Sequence, residues 1–180
     1  VGADPDVSRS DARLGIARYF GGTTWDDAAK IYRPTPLASS GLAGVRPYWT
    51  PRFEDHPYLE TLPAGSLMGA VMCVHLADNQ ETRIAAGIKK DPYAVELYVF
   101  MYALSAQQED LQAFSDDLLD AIKGMLRADP TLGHVFIQAG EGGVPLNTRT
   151  DTPVSVGNGL VTSVAVVTFE AQFYPSVTFA

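Results

Sequence analysis

The fold is decided by the stretch Tyr93-Ala94-Val95-Glu96-Leu97-Tyr98-Val99-Phe100-Met101-Tyr102-Ala103-Leu104. Successive side chains of a strand point to opposite sides of a sheet, so Val95, Leu97, Val99 and Met101 share one face and Tyr98, Phe100, Tyr102 and Leu104 the other. Both faces are apolar. A strand of this kind belongs at the centre of a sheet covered on both sides, or beneath helices on one side and another chain on the other.

Immediately downstream, Leu111, Phe114, Leu118, Ile122, Met125 and Leu126 recur at steps of three and four, which predicts an amphipathic helix from Gln107 to Arg127. Gln112, Asp116, Asp117, Asp120 and Lys123 fall on its polar side, which is expected to be a solvated face. Ser105 and Gln108 form a capping-box pattern, Glu109 and Asp110 suit the positive end of the helix dipole, and Asp129-Pro130 stops the helix. Beyond it, His134 to Ala139 reads as a strand ending at Gly140-Glu141-Gly142-Gly143, followed by a loop of undefined pairing. The last strand, Val161 to Tyr174, places Ala165, Val167, Phe169, Ala171 and Phe173 on one face and Thr168, Glu170 and Gln172 on the other.

Upstream, Leu67 to Leu76 and Thr82 to Ile88 read as a hairpin joined by the polar turn Ala77 to Glu81, and Lys89 to Pro92 as the turn into the central strand. Six of the twelve prolines (Pro34, Pro36, Pro47, Pro51, Pro57 and Pro63) fall between Ile31 and Pro63. Proline removes backbone donors and biases its predecessor to extended geometry, so this segment is read as a long irregular arm with one short strand at Ile31 to Arg33. Tyr48, Trp49, Phe53, Tyr58 and Leu62 make the arm too apolar for a disordered linker. It is expected to dock, either on its own domain or on a neighbouring subunit, and Tyr48, Trp49, Phe53 and Tyr58 are the candidate interface residues. The first element, Asp11 to Phe20, reads as a short helix with Ala12, Ile16 and Phe20 in one stripe, Leu14 and Ala17 flanking it, and Gly21-Gly22 as its exit. The order predicts one α+β domain over residues 1–180: a mostly antiparallel sheet, a long helix packed on one face, a short N-terminal helix and a Pro-rich arm at about 31–63.

Composition narrows the function. In 180 residues there are 21 acidic and 13 basic side chains, and the net charge of −8 disfavours tight binding of phosphate backbones. No apolar run reaches the ~20 residues of a membrane-spanning helix, and the first residues carry no basic region followed by an apolar one, so cytoplasmic synthesis is the expectation. The single cysteine, Cys73, excludes an intrachain disulfide. His56, His75 and His134 lie in different elements without the spacing that places two ligands together, so no metal site is expected. Cys73 and His75 share a strand face and compose a conceivable nucleophile–base pair, yet a cysteine in an apolar strand is more often a small core residue. The glycines at 140–143 lack the Lys-Ser/Thr of a phosphate-binding loop and the helix that follows one, so a turn explains them better. No active site or cofactor site emerges, and the apolar strand surface favours an assembly role over catalysis.

Several stretches together resemble a known family. Thr82-Arg83-Ile84-Ala85-Ala86-Gly87, the strand Tyr93 to Leu104, the helix ending Ala121-Ile122-Lys123-Gly124-Met125-Leu126-Arg127-Ala128-Asp129 and Val135-Phe136-Ile137-Gln138-Ala139-Gly140-Glu141-Gly142 resemble tail terminator proteins of long non-contractile-tailed bacteriophages, especially those of actinobacterial hosts. The match covers roughly half of the chain, and Val164 to Tyr174 and Ile31-Tyr32-Arg33-Pro34 fit the family's closing and early strands. The long arm departs from its compact members. The resemblance implies a virion protein, not an enzyme, assembled in the host cytoplasm as a homo-oligomeric, hexameric ring at the head-proximal end of the tail tube. Its implied partners are the major tail tube protein and the head–tail connector or stopper, with phage DNA passing through the lumen and no membrane contact. Another neck or tail-completion protein, such as a stopper or connector component, and a small hydrolase using Cys73 and His75 are the alternative readings.

Overall fold

In the computed structural model of the protein, residues 9–48, 66–79, 82–85, 88–104, 108–133, 138–139, 146–157 and 159–173 are described. Helix α1 spans Arg9–Gly21. Short strands β1 (Trp25–Asp26), β2 (Ile31–Tyr32) and β3 (Leu42–Arg46) follow, with a single 3-10 turn at Ala38–Ser40 before β3. The long strands are β4 (Met68–Asn79) and β6 (Ile88–Leu104), with β5 (Thr82–Ala85) between them. Helix α2 (Gln108–Ala128), the short strands β7 (Gln138–Ala139), β8 (Asn147–Thr150) and β9 (Val154–Gly157), and the long β10 (Leu160–Phe173) complete the order. The fold is α+β with a mostly antiparallel sheet.

The decisive stretch is central, as its two apolar faces demand. The sheet runs β1-β2-β3-β4-β6-β10, and β6 is paired on both sides from Tyr93 to Ala103: Met72↔Val99↔Ala165 and Val74↔Leu97↔Val167 mark the register. Among the described pairings only β3 with β4 is parallel. The outer edge of β10 is covered piecewise, by β9 at Leu160–Thr162, β8 at Ala165–Thr168 and β7 at Ala171–Gln172.

Both helices lie on one face of this sheet, α1 over β2, β3 and β4 and α2 over β6 and β10. Tyr19 of α1 donates a hydrogen bond to the Met125 carbonyl of α2 at 3.0 Å, tying the two together. Beneath them Ala12, Ile16, Phe20, Val95, Leu97, Val99, Met101, Leu111, Leu118, Ile122, Val167 and Phe169 form the main core, all buried. Each fully buried side chain of this size contributes about 1.5–3 kcal/mol, so the α2 stripe outweighs the few tenths per residue at stake in helix propensity. Leu119 and Ser115 also point inward, while Phe114 and Met125 are half-buried. After α2 the Asp129 carboxylate accepts hydrogen bonds from the backbone N–H groups of Thr131 at 2.9 Å and Gly133 at 2.8 Å, and the chain turns away at Pro130.

Three departures from the sequence reading have physical causes. The expected hairpin partner of β4 is not β5: β4 continues through the expected turn to Asn79 and pairs with β6, with a bulge at Ala77, while β5 pairs with the first residues of β6. The expected turn at Lys89 to Pro92 is strand, and Pro92 fits because the ladder on its β4 side ends at Asn79↔Tyr93 and resumes only at Thr82↔Lys90. The segment read as irregular contains β3, whose Leu42 and Val45 are buried and whose neighbours Ile31, Tyr32 and Leu37 are buried too. Prolines 34, 36 and 47 sit outside its hydrogen-bonded residues, so the strand fits between them. Gly44 allows this packing, since a Cβ there would lie 2.6 Å from Ile31 Cδ1 and 2.9 Å from the Tyr32 carbonyl oxygen.

Candidate functional site

Of the four residues singled out as interface candidates, only Tyr48 is among the described residues; Trp49, Phe53 and Tyr58 lie outside them. The Tyr48 ring is 59% exposed, and the Arg13 guanidinium stands over it at 5.8 Å from the centroid. Burial, and then the neighbouring charge of Arg9, lower the pKa of Arg13, with Tyr48 opposing the shift. An exposed aromatic ring held by a cation is ready-made contact surface, the composition typical of interface anchors.

The face of the sheet away from the helices has its own smaller core. Ile31, Val71, Cys73, Phe100 and Tyr102 are buried there, with Ala43, Tyr98, Leu160 and Val164 packed against them. Cys73 is fully buried in this group, which is the surrounding of a packed thiol and not of an accessible nucleophile. His75, two residues on and half-buried, has its Nδ1 3.0 Å from Glu96 Oε2, across the β4–β6 pairing. Tyr98 donates its O–H to the same Glu96 oxygen at 3.0 Å, and burial together with that bond raises the phenol's pKa. The carboxylate of Glu96 thus gathers an imidazole and a phenol on a half-exposed row of the sheet. His56, His134 and the glycines at 140–143 lie outside the described residues, and no group of metal-ligating side chains occurs among the described ones.

Two concavities border α2. An open groove of about 600 Å³ is lined by Ser39, Ser40, Gly41, Leu67, Phe114 and Asp117. A smaller cavity of about 210 Å³ lies between Leu111, Gln112 and Ser115 of α2 and residues Thr150 to Pro153. The Ser115 hydroxyl beside it is buried and has no hydrogen-bond partner. Among the described residues that line them, neither concavity brings together a nucleophile, a base and a charge-stabilising group.

The outer strands carry the surface features that the sequence reading passed over. At one edge Trp25, 39% exposed, packs its indole 5.0 Å from the ring of Tyr32, and the Arg18 guanidinium covers that same ring at 5.6 Å. Lys30 pairs with Asp27 at 2.7 Å and Arg33 with Asp26, which also accepts the Ala28 and Ala29 N–H groups at 3.0 Å. At the other edge Val154 and Val156 of β9 are 58% and 55% exposed, next to exposed Asp151 and Arg149. The alternation Val154-Ser155-Val156 was the available sequence signal, masked by its shortness; Trp25 stood alone among polar residues and offered none. No family model matches the chain, and no curated protein matches it either. No helix of the described residues is long and apolar enough to cross a membrane.

Proposed function

We propose that this chain is a structural virion protein, a tail terminator that assembles as a ring at the head-proximal end of a phage tail tube, stops tube growth and offers a surface to the head connector. The observation that carries the reading is the resemblance borne by Tyr93 to Leu104 and by the helix ending at Asp129, which form β6 and α2 at the centre of the α+β unit. Three further features support it. Apolar and aromatic side chains stand exposed at both edges of the sheet, as in a subunit that expects neighbours. The acidic residues of α2, Glu109, Asp110, Asp116, Asp117 and Asp120, are exposed, and acidic surface suits a passage that must not grip DNA. Cys73, the one cysteine nucleophile available to the hydrolase reading, is sealed in the core of the second face.

The test is addition of the purified chain to polymerising major tail tube protein of the same phage. Tubes that stop growing and carry the chain at one end only are the expected result. Tubes that elongate unchanged, with the chain absent from both ends, would overturn the reading, whereas binding to the connector alone would favour a stopper.

A further inference from the structure

Between α2 and the outer strands lies the smaller cavity, which the ring reading does not use. Its volume is about 210 Å³; a single water needs only about 15 Å³, so there is room for a ligand of several atoms. The strand register explains its place. Thr150 pairs with Ala165, and Ala165 and Ser163 share the helix face of β10. Leu111 and Ser115 of α2 close the cavity over them.

The polar atoms of this cavity are set to accept hydrogen bonds. Ser163 is buried and spends its only proton on the Asp151 carbonyl at 2.8 Å, so its oxygen can only accept from a further group. Asp151 also donates its own N–H to the Val164 carbonyl at 2.9 Å. Pinned through both backbone groups, the residue is placed before any ligand arrives. The Ser115 hydroxyl is buried, the residue being 1% exposed, and it has no hydrogen-bond partner among the described residues. A buried polar group of this kind marks a missing partner.

Charge narrows the ligand. No Lys, Arg or His lines the cavity among the described residues, and Asp151 is its one charged residue. Glu109 and Asp116 flank the rim residue Gln112 on the same side of α2, both exposed, and make the approach negative. The competing cation is Arg149, whose Nε stands 3.8 Å from the Asp151 carboxylate; both side chains are exposed, and a surface pair of this kind yields readily.

We infer that this cavity binds a primary alkylammonium group. Its three N–H donors meet the Asp151 carboxylate, the Ser163 oxygen and the Ser115 hydroxyl, and its methylenes lie against Leu111 and Pro153. An alcohol brings one donor to these acceptors, and an anion meets only acceptors and a negative charge. Alkylamines are protonated at neutral pH, as Lys is. A free aliphatic amine and the lysine side chain of a partner protein present this same group. The site stands whether or not the chain caps tubes.

Titration of the isotope-labelled chain with n-butylammonium chloride at constant ionic strength, followed by amide NMR, tests it. Saturable shifts are expected at Leu111 to Ser115 and around Asp151 and Ser163, with a dissociation constant of about 1 mM; none up to about 100 mM would overturn the site. n-Butanol is expected to give none, and equal binding of butanol would overturn the ammonium assignment. Asp151→Asn, which keeps both backbone bonds, should weaken binding at least about tenfold, and Ser115→Ala about threefold to tenfold, the same spectra showing that each variant folds. Unchanged affinity in either variant would overturn the assigned contacts. Arg149→Gln should tighten binding by up to about fivefold, and weaker binding there would contradict the arrangement. Nα-acetyl-lysine N-methylamide separates the sources: binding like that of butylammonium assigns the cavity to a partner's lysine, and its exclusion while butylammonium binds assigns the cavity to a free amine, each upholding the ammonium site.

Discussion

The two faces of β6 carry the same kind of sequence and meet different surroundings. Val95, Leu97, Val99 and Met101 are fully buried under α1 and α2, in a core that also takes in Tyr93 of the same strand and Phe20 and Phe169 of its neighbours. On the other face Phe100 and Tyr102 are buried but Tyr98 and Glu96 are half-exposed, and the row they start is polar, with His75 and Tyr98 converging on one carboxylate. The difference teaches where stability and recognition reside. Close-packed aliphatic side chains tolerate little change in volume, whereas a half-exposed polar row contributes little net energy and can be altered without loss of the fold.

Substitutions can break or sharpen this contrast, and Leu97→Ala should have the largest effect. Its side chain is fully buried on the helix face, so chemical denaturation should show a loss of about 2–5 kcal/mol; a loss as small as that at Tyr98 would erase the contrast. Gly44→Ala should cost about 1–3 kcal/mol, because its Cβ would meet Ile31 and the Tyr32 carbonyl at 2.6 and 2.9 Å. A neutral result would show that β2 can move away from β3 freely. On the polar row, Tyr98→Phe removes one bond to a carboxylate that keeps His75, and a loss of about 0.5–1 kcal/mol is expected in thermal unfolding.

Ser115→Ala runs the other way. Its buried hydroxyl is unpartnered on the otherwise apolar side of α2, so its removal should leave stability unchanged or raise it by up to about 1 kcal/mol; destabilisation would reveal a hidden partner. The smallest effect concerns Asp26 at the exposed β1 edge, whose pKa is held down first by the Ala29 N–H and then by Arg33. A depressed carboxylate stabilises above its ordinary value of about 3.9, and that contribution disappears as pH falls below it through the folded value. The Ala28 and Ala29 amide resonances should therefore titrate below that ordinary value, and Asp26→Asn should remove the transition. Titration at or above about 3.9 would contradict the assigned bonds.

The elements with long periodic patterns were legible in the sequence. Val95 to Met101, Leu111 to Leu126 and Ala165 to Ala171 each repeat their period often enough to identify both the element and its buried face. What escaped depends on distant pairing. β3 is five residues among prolines, and it is a strand only because β4 lies alongside it. β8 and β9 are four residues each and exposed throughout, so no burial pattern marks them; β10 supplies their partner. The same reason hid the surface features. Trp25 gains meaning from Tyr32 and Arg18, which only folding places beside it, while Cys73 and His75, adjacent in sequence pattern, prove to belong to a buried core and a polar row respectively.

The central claim is that this chain is built to be one subunit of a closed ring. Size-exclusion chromatography with light scattering across a wide concentration range, with negative-stain images of the largest species, tests it most directly. The account predicts a discrete largest species, seen as rings of uniform size with a central hole. Open fibres, irregular aggregates or a strictly monomeric chain that stays monomeric in the presence of tail tubes would contradict it.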